Sequence, residues 1–371
     1  MGSLICSQPV LVGLRALCYG QSLKQVLLRR KAGFNAEGDD AFYRRLWRST
    51  AARLGAVIRD LPGGFLEVRL GQRVTRVKQG RVMLDDLVTL SLAGNKVVVH
   101  ALLMNERLPV PAHISYTLDK VEKGWDFLKG QGGPCVVKPV CDTGGGHGVT
   151  TGVETRWQLS QASALAANWS RELLIERQVE GDNYRLLYLD GVLIDALYRG
   201  KPTVIGDGRS NIRQLIHREN LKRARSVHTV LGPITIDLDC RSTLRQAGLS
   251  FRFVPAADQK VRVKTATNEC SDRDNQTVLK QIGPSLVREG ARAASIVGAR
   301  LAGVDVITKD PATPLEGSGV IVEVNTTPGI KHHYMVQNSE QKVEVAVPIM
   351  RCLLGLDAAD KRGGNLHLEV H

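Results

Sequence analysis

Apolar positions follow several different spacings along this chain, and each spacing predicts an element. In DDAFYRRLWRSTAARL (39–54), Phe42, Leu46, Thr50 and Leu54 recur every fourth residue, which predicts a helix capped by Asp39 or Asp40. FLEVRL, RVTRV and RVML then alternate apolar and polar residues, separated by Gly71-Gln72 and Gln79-Gly80, the pattern of a β-meander. From Leu92 the text changes. KVVVHALLMNER predicts a helix from Lys96 to Arg107, stopped by Pro109 and Pro111. PCVVKPV is a short β-branched run that leads into a glycine cluster at 144–148. ELLIERQVEGDNYRLLYLDGVLIDALYRG predicts two or three strands, broken at Gly181 and folded back at Asp190-Gly191, a hairpin signal between apolar runs. Residues 206–276 are polar and show no period, so they read as irregular. Beyond them come a predicted helix over 284–301, paired strands in GVDVIT and GVIVEVN, and a last helix over 343–355. The order implies an α+β protein with a mixed module over 1–90, a larger domain over 91–360, and a mobile tail over 361–371.

Composition narrows this picture. A chain of 371 residues that is 43% hydrophobic can build two or three packed units, and no apolar run approaches the roughly 18 residues of a membrane helix. The opening MGSLICSQPV lacks a basic leader and an apolar stretch, and Cys6 stands where a myristoylation signal wants Ser or Thr. The seven cysteines (6, 18, 135, 141, 240, 270 and 352) are scattered without a CxxC, which argues against a disulfide framework or zinc site and for a reducing cytoplasm.

Charge adds a clue. Fifty Lys and Arg against 37 Asp and Glu give +13, and the first 90 residues alone hold 15 basic and 7 acidic residues. Such an excess suits either a nucleic-acid surface or a field that draws in small anions. With aromatics at 5% and no helix-turn-helix, zinc-finger or RNA-recognition signature, the second reading is the better supported.

The chemistry lies in three places. GGGHG after a predicted strand suggests backbone amides around phosphate, although GxxxxGK[ST] and GxGxxG are both absent. Lys138 lies on the strand that leads into those glycines and could put a cation at the same phosphates. Glu176, closing LLIER before Gly181, suits a hinge that meets a purine. Finally, Glu323 and Asn325 are two residues apart on a strand and share a face, where Asp305 from the neighbouring strand could join them. Two carboxylates and an amide oxygen are hard ligands suited to Mg²⁺, and acidic groups among Val and Ile need a cation.

These elements, in this order, resemble the ATP-grasp family of carboxylate–amine ligases, and more closely the ATP-grasp portion of cyanophycin synthetase and of the bifunctional glutamate–cysteine ligase/glutathione synthetase. The resemblance rests on VVKPVCDTGGGHGVT, LLIERQVEGDNYRLLYLDG, VIGDGRSNIRQLI, LRQAGLSFRFVP and GVDVITKD…GVIVEVNTTPGIKHH, over about 88–355. It implies an ATP-grasp fold with a glycine-loop subdomain over about 115–180 and a metal-binding subdomain over about 181–355. It further implies that Lys96 and Lys138 contact ATP phosphates and that Gly144, Gly145, Gly146 and Gly148 form a mobile loop over them. Glu176 and the backbone at Val179 would meet adenine; Asp305, Glu323 and Asn325 would hold Mg²⁺ (or Mn²⁺); Arg185 and Arg199 would sit near the phosphates and acyl group.

Departures from the family pattern are equally informative. GDNYR replaces GxDYR, so the ribose contact falls to Asn183 or the adjacent Asp182. KTATNECSDRDNQT replaces a stretch like NLSTGG, which implies a different acceptor pocket. His147 reads as a solvated loop histidine, and His332 and His333 have no evident partner. The chain lacks the Mur-ligase-like and glutamate–cysteine ligase modules of these relatives, which predicts a stand-alone cytoplasmic ligase. The expected activity is ADP-forming amide synthesis through an acyl phosphate, from an amino-acid or peptide carboxylate and an amine, without nucleic-acid or membrane partners. VEVAVPIMRCLL offers a face for a homodimer. The alternatives are modification of a peptide or protein tail, and an ATP-binding module without turnover.

Overall fold

The computed structural model describes residues 36–141, 146–225, 232–269, 271 and 273–357. Cys6, Cys18, Cys270, the glycines 144 and 145, and the tail 361–371 therefore lie outside the described residues. Helix α1 (Ala36–Arg53) comes first, followed by an antiparallel meander of β1 (Val57–Leu61), β2 (Phe65–Leu70), β3 (Arg73–Lys78) and β4 (Arg81–Val82). The strand Val57–Leu61 was not expected. Nor do Asp39 and Asp40 cap the helix. Both lie inside it, Asp39 receiving Lys331 Nζ at 3.0 Å and Asp40 pairing with Arg44 one turn on at 2.6 Å. The buried stripe is Tyr43, Leu46, Trp47, Thr50 and Ala51, with Phe42 and Leu54 only partly covered. A strict fourth-residue spacing drifts about 40° per step around a helix of 3.6 residues per turn, so steps of three and four must alternate to hold one face. Trp47 also donates its indole N–H to the carbonyl of Gln79 at 2.8 Å, which fastens the helix to the β3–β4 turn.

Two short helices follow, α2 (Leu87–Ala93) and α3 (Lys96–Asn105). Asp86 accepts from the Thr89 amide, and Asn95 accepts from the amides of Val97 and Val98, so each start is capped by a side-chain oxygen. Among the described residues no single helix is long and apolar enough to cross a membrane; α2 and α3 together are apolar but meet at 90°.

One antiparallel sheet has the order β5 (His113–Thr117), β8 (Glu172–Arg177), β6 (Cys135–Pro139), β7 (Thr150–Val153). Helices α4 (Val121–Gln131) and α5 (Arg156–Ala166) cover it, around a core of Tyr116, Leu128, Val137, Leu159 and Ile175. A second antiparallel sheet has the order β13 (Asn275–Thr277), β10 (Val192–Arg199), β9 (Asp182–Leu189), β14 (Leu301–Thr308), β15 (Gly319–Thr326). The β9–β10 hairpin turns at Asp190 (φ 47°) and Gly191 (φ 78°), the positive pair that a two-residue loop requires.

Helix α8 (Pro284–Val297) starts on Pro284 and is ended by Gly298 at φ 79°, short of the expected 301. Its apolar stripe packs on Tyr184, Leu186 and Tyr188 of β9. The opposite face of β9 is divided. Asn183 and Arg185 face a cavity, whereas Leu187 and Leu189 run beneath the N-terminal meander and α9 (Ala346–Leu353).

The stretch 206–276 is not irregular. It holds α6 (Ile212–Arg225), α7 (Leu238–Gln246) and β12 (Lys260–Arg262), the last paired with β11 (Thr203–Ile205) just before the stretch, around a small core of Val204, Ile212, Ile216, Ile234, Leu244, Val261 and Val263. Its helices bury only three (Ile212, Leu215, Ile216) and two (Cys240, Leu244) apolar side chains, too few to raise a periodic signal above the surrounding charge.

Candidate functional site

A cavity of about 990 Å³ lies between the two sheets. Its walls include Lys96, Lys138, Gly146, Glu176, Val179, Asn183, Arg185, Arg199, Asp305, Glu323 and Asn325, eleven positions singled out from the sequence. Gly148 is not among the lining residues. At φ 76° it packs where a Cβ would meet Pro139 and Trp169 at 2.9 Å, so it serves the loop's path. Beside it His147 is not simply solvated, because its ring stacks on Trp169 with centroids 4.7 Å apart.

On the first sheet, Lys138 and Glu176 stand on adjacent strands with both side chains 6% exposed. The ammonium lies 2.8 Å from each carboxylate oxygen. Glu176 thus turns toward Lys138 within the sheet. The neighbouring hinge residue Gln178, which the sequence reading passed over, lines the cavity and accepts from the Gly152 amide at 2.7 Å.

On the second sheet, register builds the acidic end. Arg185 of β9 is directly opposite Asp305 of β14, which is directly opposite Glu323 of β15. Arg185 grips Asp305 with two parallel bonds, Nε to Oδ1 and Nη2 to Oδ2, the latter at 2.7 Å. Asn325 Nδ2 lies 3.3 Å from the same carboxylate, and Arg199 Nη1 3.8 Å from it. Burial, the largest single influence, would raise the Asp305 carboxyl, but Arg185, Arg199 and Asn325 together outweigh it, and the group lies below the usual carboxylate range. Gly303 makes room for this grip, since a Cβ there would stand 3.1 Å from Arg185 Cδ and 2.8 Å from Pro328. Lys96, at the start of α3, reaches Glu323 at 3.5 Å while its backbone amide bonds the Val140 carbonyl, just past β6, at 3.3 Å, and so joins the two halves of the cavity.

The donor set of two carboxylates and an amide suits a hard divalent cation. Among the described residues no three His, Cys, Asp or Glu side chains form a metal cluster, so a cation here would take its remaining oxygens from ligand and water. Both carboxylates already face cations of the chain, Arg185 and Lys96, which a divalent ion would replace as counter-charge.

Asn183 lines the cavity with its side-chain oxygen buried and unpartnered, whereas Asp182 is exposed and outside the lining, which favours Asn183 of the two ribose candidates. His333 is not without a partner. Its Nδ1 lies 2.7 Å from Asp195, a buried carboxylate at the bulge in β10 that also accepts from Thr277 Oγ1 at 2.7 Å. His332 is held well below its ordinary pKa by burial and then by Arg199, Lys331 and Arg185, and its Nδ1 lacks a hydrogen bond. Thr265, Ala266 and Thr267 close the far end, Thr267 O accepting from Arg199 Nη2 at 3.4 Å.

No family model matches the chain. It is 30% identical over 290 residues to the cyanophycin synthetase of Trichormus variabilis, covering 76% of this chain and 32% of that protein. To the bifunctional glutathione biosynthesis protein of Clostridium perfringens it is 27% identical over 291 residues, covering 77% of this chain and 37% of that protein. The bifunctional glutathione synthetase of Pasteurella multocida superposes with a TM-score of 0.52 at 23% identity, covering 83% of this chain and 44% of that one. The chain therefore spans about a third of the length of the curated relatives it matches.

Proposed function

We propose, from the premise that this chain has the ATP-grasp fold and is related in sequence to cyanophycin synthetases and bifunctional glutathione biosynthesis proteins, that it is an ADP-forming carboxylate–amine ligase acting on an amino acid or small peptide. One observation carries the reading: two lysines, two arginines and an acid–amide trio from five strands and a helix line a single cavity.

In this reading a substrate carboxylate oxygen bonds to the γ-phosphorus of ATP and ADP leaves. An amine nitrogen then bonds to the acyl carbon, phosphate leaves with the C–O electrons, and the nitrogen gives up its proton. Lys138 and Lys96 bind phosphate oxygens, and Arg185 and Arg199 offset charge at the transferred group. Asp305, Glu323 and Asn325 would hold Mg²⁺, which supplies charge neutralisation of the phosphate oxygens when bound. The loop carrying Gly146 and His147 closes over the site and excludes water, which would otherwise divert the activated carboxyl to hydrolysis. Positioning and electrostatics suffice; no side chain need act as a covalent nucleophile.

The relatives named for cyanophycin and glutathione point to amino-acid and peptide substrates as the class to test. Release of ADP and phosphate with Mg²⁺ is expected only when both a carboxylate donor and an amine are supplied from such a panel. Formation of AMP and pyrophosphate instead would overturn the proposal.

A further inference from the structure

The helical insert between β11 and β13 contributes Thr265, Ala266 and Thr267 to the far wall of the cavity. The first sheet contributes Thr151, on the strand that leaves the glycine loop. One buried carboxylate joins the two. Asp239, in the first turn of α7 and 1% exposed, takes Thr151 on one oxygen, Oγ1 at 2.6 Å and the amide at 3.3 Å. On the other oxygen it takes the amides of Thr265 and Ala266, each at 3.1 Å.

Four donors on two oxygens fill the carboxylate's acceptor sites, which is the complement of an ionised group. Burial raises the Asp239 carboxyl, Lys264 opposes that and Asp237 adds to it, so the four donors and not a dedicated cation hold the group. Lys264, the residue before Thr265, is buried and reaches Asp237 at 2.7 Å and Glu269 at 3.0 Å. Close docking supports the bridge. At Gly152 a Cβ would meet Gln246 Nε2 at 2.5 Å and Ser242 Oγ at 2.7 Å, so α7 lies directly on the β7 backbone.

We infer that Asp239 is a positioning residue that couples β7 to the acceptor wall, so that seating nucleotide against β7 also orders residues 265–266. A carboxylate shared by two walls cannot hold one in place while the other moves freely: displacing β7 strains two bonds and transmits the displacement to the other two. This rests on the reading that the cavity binds Mg-nucleotide. Nothing in it depends on which amine is accepted.

The test is hydrogen exchange of the full chain with and without Mg²⁺ and the non-hydrolysable analogue AMPPNP, read in peptides covering 148–154 and 260–269. In the wild type both peptides should gain protection when nucleotide binds. In Asp239→Asn, binding measured by calorimetry should stay within about threefold, and protection should persist at 148–154 but vanish at 260–269. Asp239→Glu should restore part of it. Ser242→Ala removes a docking bond of α7 to the Gly152 carbonyl, 3.3 Å long, without touching Asp239, and should leave both responses intact. Should Asp239→Asn fail to fold, Thr151→Val removes the hydroxyl donor alone and should weaken the 260–269 response. A folded Asp239→Asn protein whose two peptides respond as in the wild type overturns the inference, as does a wild type that binds AMPPNP without any response at 260–269. Absence of AMPPNP binding to the wild type would instead remove the nucleotide reading itself, and the coupling with it.

Discussion

Replacing Glu176 by Gln would leave the Lys138 ammonium buried against a neutral amide. At 2.8 Å and an effective dielectric of about 20 the lost attraction is about 6 kcal/mol. Part of that only offsets the cost of taking both groups out of water, and breaking such a buried pair from one side costs about 3–5 kcal/mol. Gln keeps one acceptor near Lys138, so the lower end is expected, about 3 kcal/mol in urea unfolding. The double variant Glu176→Gln with Lys138→Met should recover part of the loss, because no buried charge then stands alone. The proposed site adds a second expectation. An anionic ligand gives the stranded ammonium a new partner, so AMPPNP with Mg²⁺ should stabilise Glu176→Gln by more than the roughly 2.7 kcal/mol that a hundredfold excess over Kd gives any binder. A single-variant loss under about 1 kcal/mol, or a double variant as weak as the sum of the singles, would refute the reasoning.

Glu323→Gln should drop ligase turnover at least a hundredfold, about 2.7 kcal/mol on the barrier, with urea unfolding unchanged within about 1 kcal/mol; unaltered turnover would remove Glu323 from the reaction. His100 is buried and donates from Nε2 to the Val322 carbonyl at 3.0 Å, and burial, then Lys138, pushes its pKa down to about 4 from 6.5. The unfolded chain therefore takes up this proton first, so stability should fall as pH drops from about 6.5 toward about 4, by up to about 3 kcal/mol, and His100→Gln should flatten that slope in urea titrations. Gly290→Ala would set a Cβ 2.2 Å from the Tyr188 hydroxyl, which bonds the Val287 carbonyl; overpacking of about 1–3 kcal/mol should outweigh the helix gain of about 1 kcal/mol, read as a lower urea midpoint.

Strands declared themselves through alternation. GVIVEVN could be assigned a face from its spacing, and the directly opposed Asp305 and Glu323 follow from antiparallel pairing with GVDVIT. Turn chemistry at Asp190-Gly191 was equally legible, since positive φ has few residue solutions, whereas the stop at Gly298 falls short of the expected 301. Contacts made across the chain were not. No local pattern says that Lys138 meets Glu176 or that Asp239 receives Thr151, 88 residues away. The insert hides its helices for a related reason: they are steadied by ion pairs such as Arg223 with Glu219 and by a buried Lys264, and charged partners leave no hydrophobic period. Tyr43 and Trp47 escape a strict fourth-residue spacing because the buried face of α1 alternates steps of three and four.

The divided face of β9 carries a consequence for any shortened version of this protein. A truncation beginning after Leu84 would bare Leu187, Leu189 and Leu301 to water on the very strands that carry Arg185 and Asp305. Those leucines are an oily half-page, and stripping off their cover invites clumping well before it silences any reaction. The meander is thus a roof whose loss would be felt first in the test tube as turbidity.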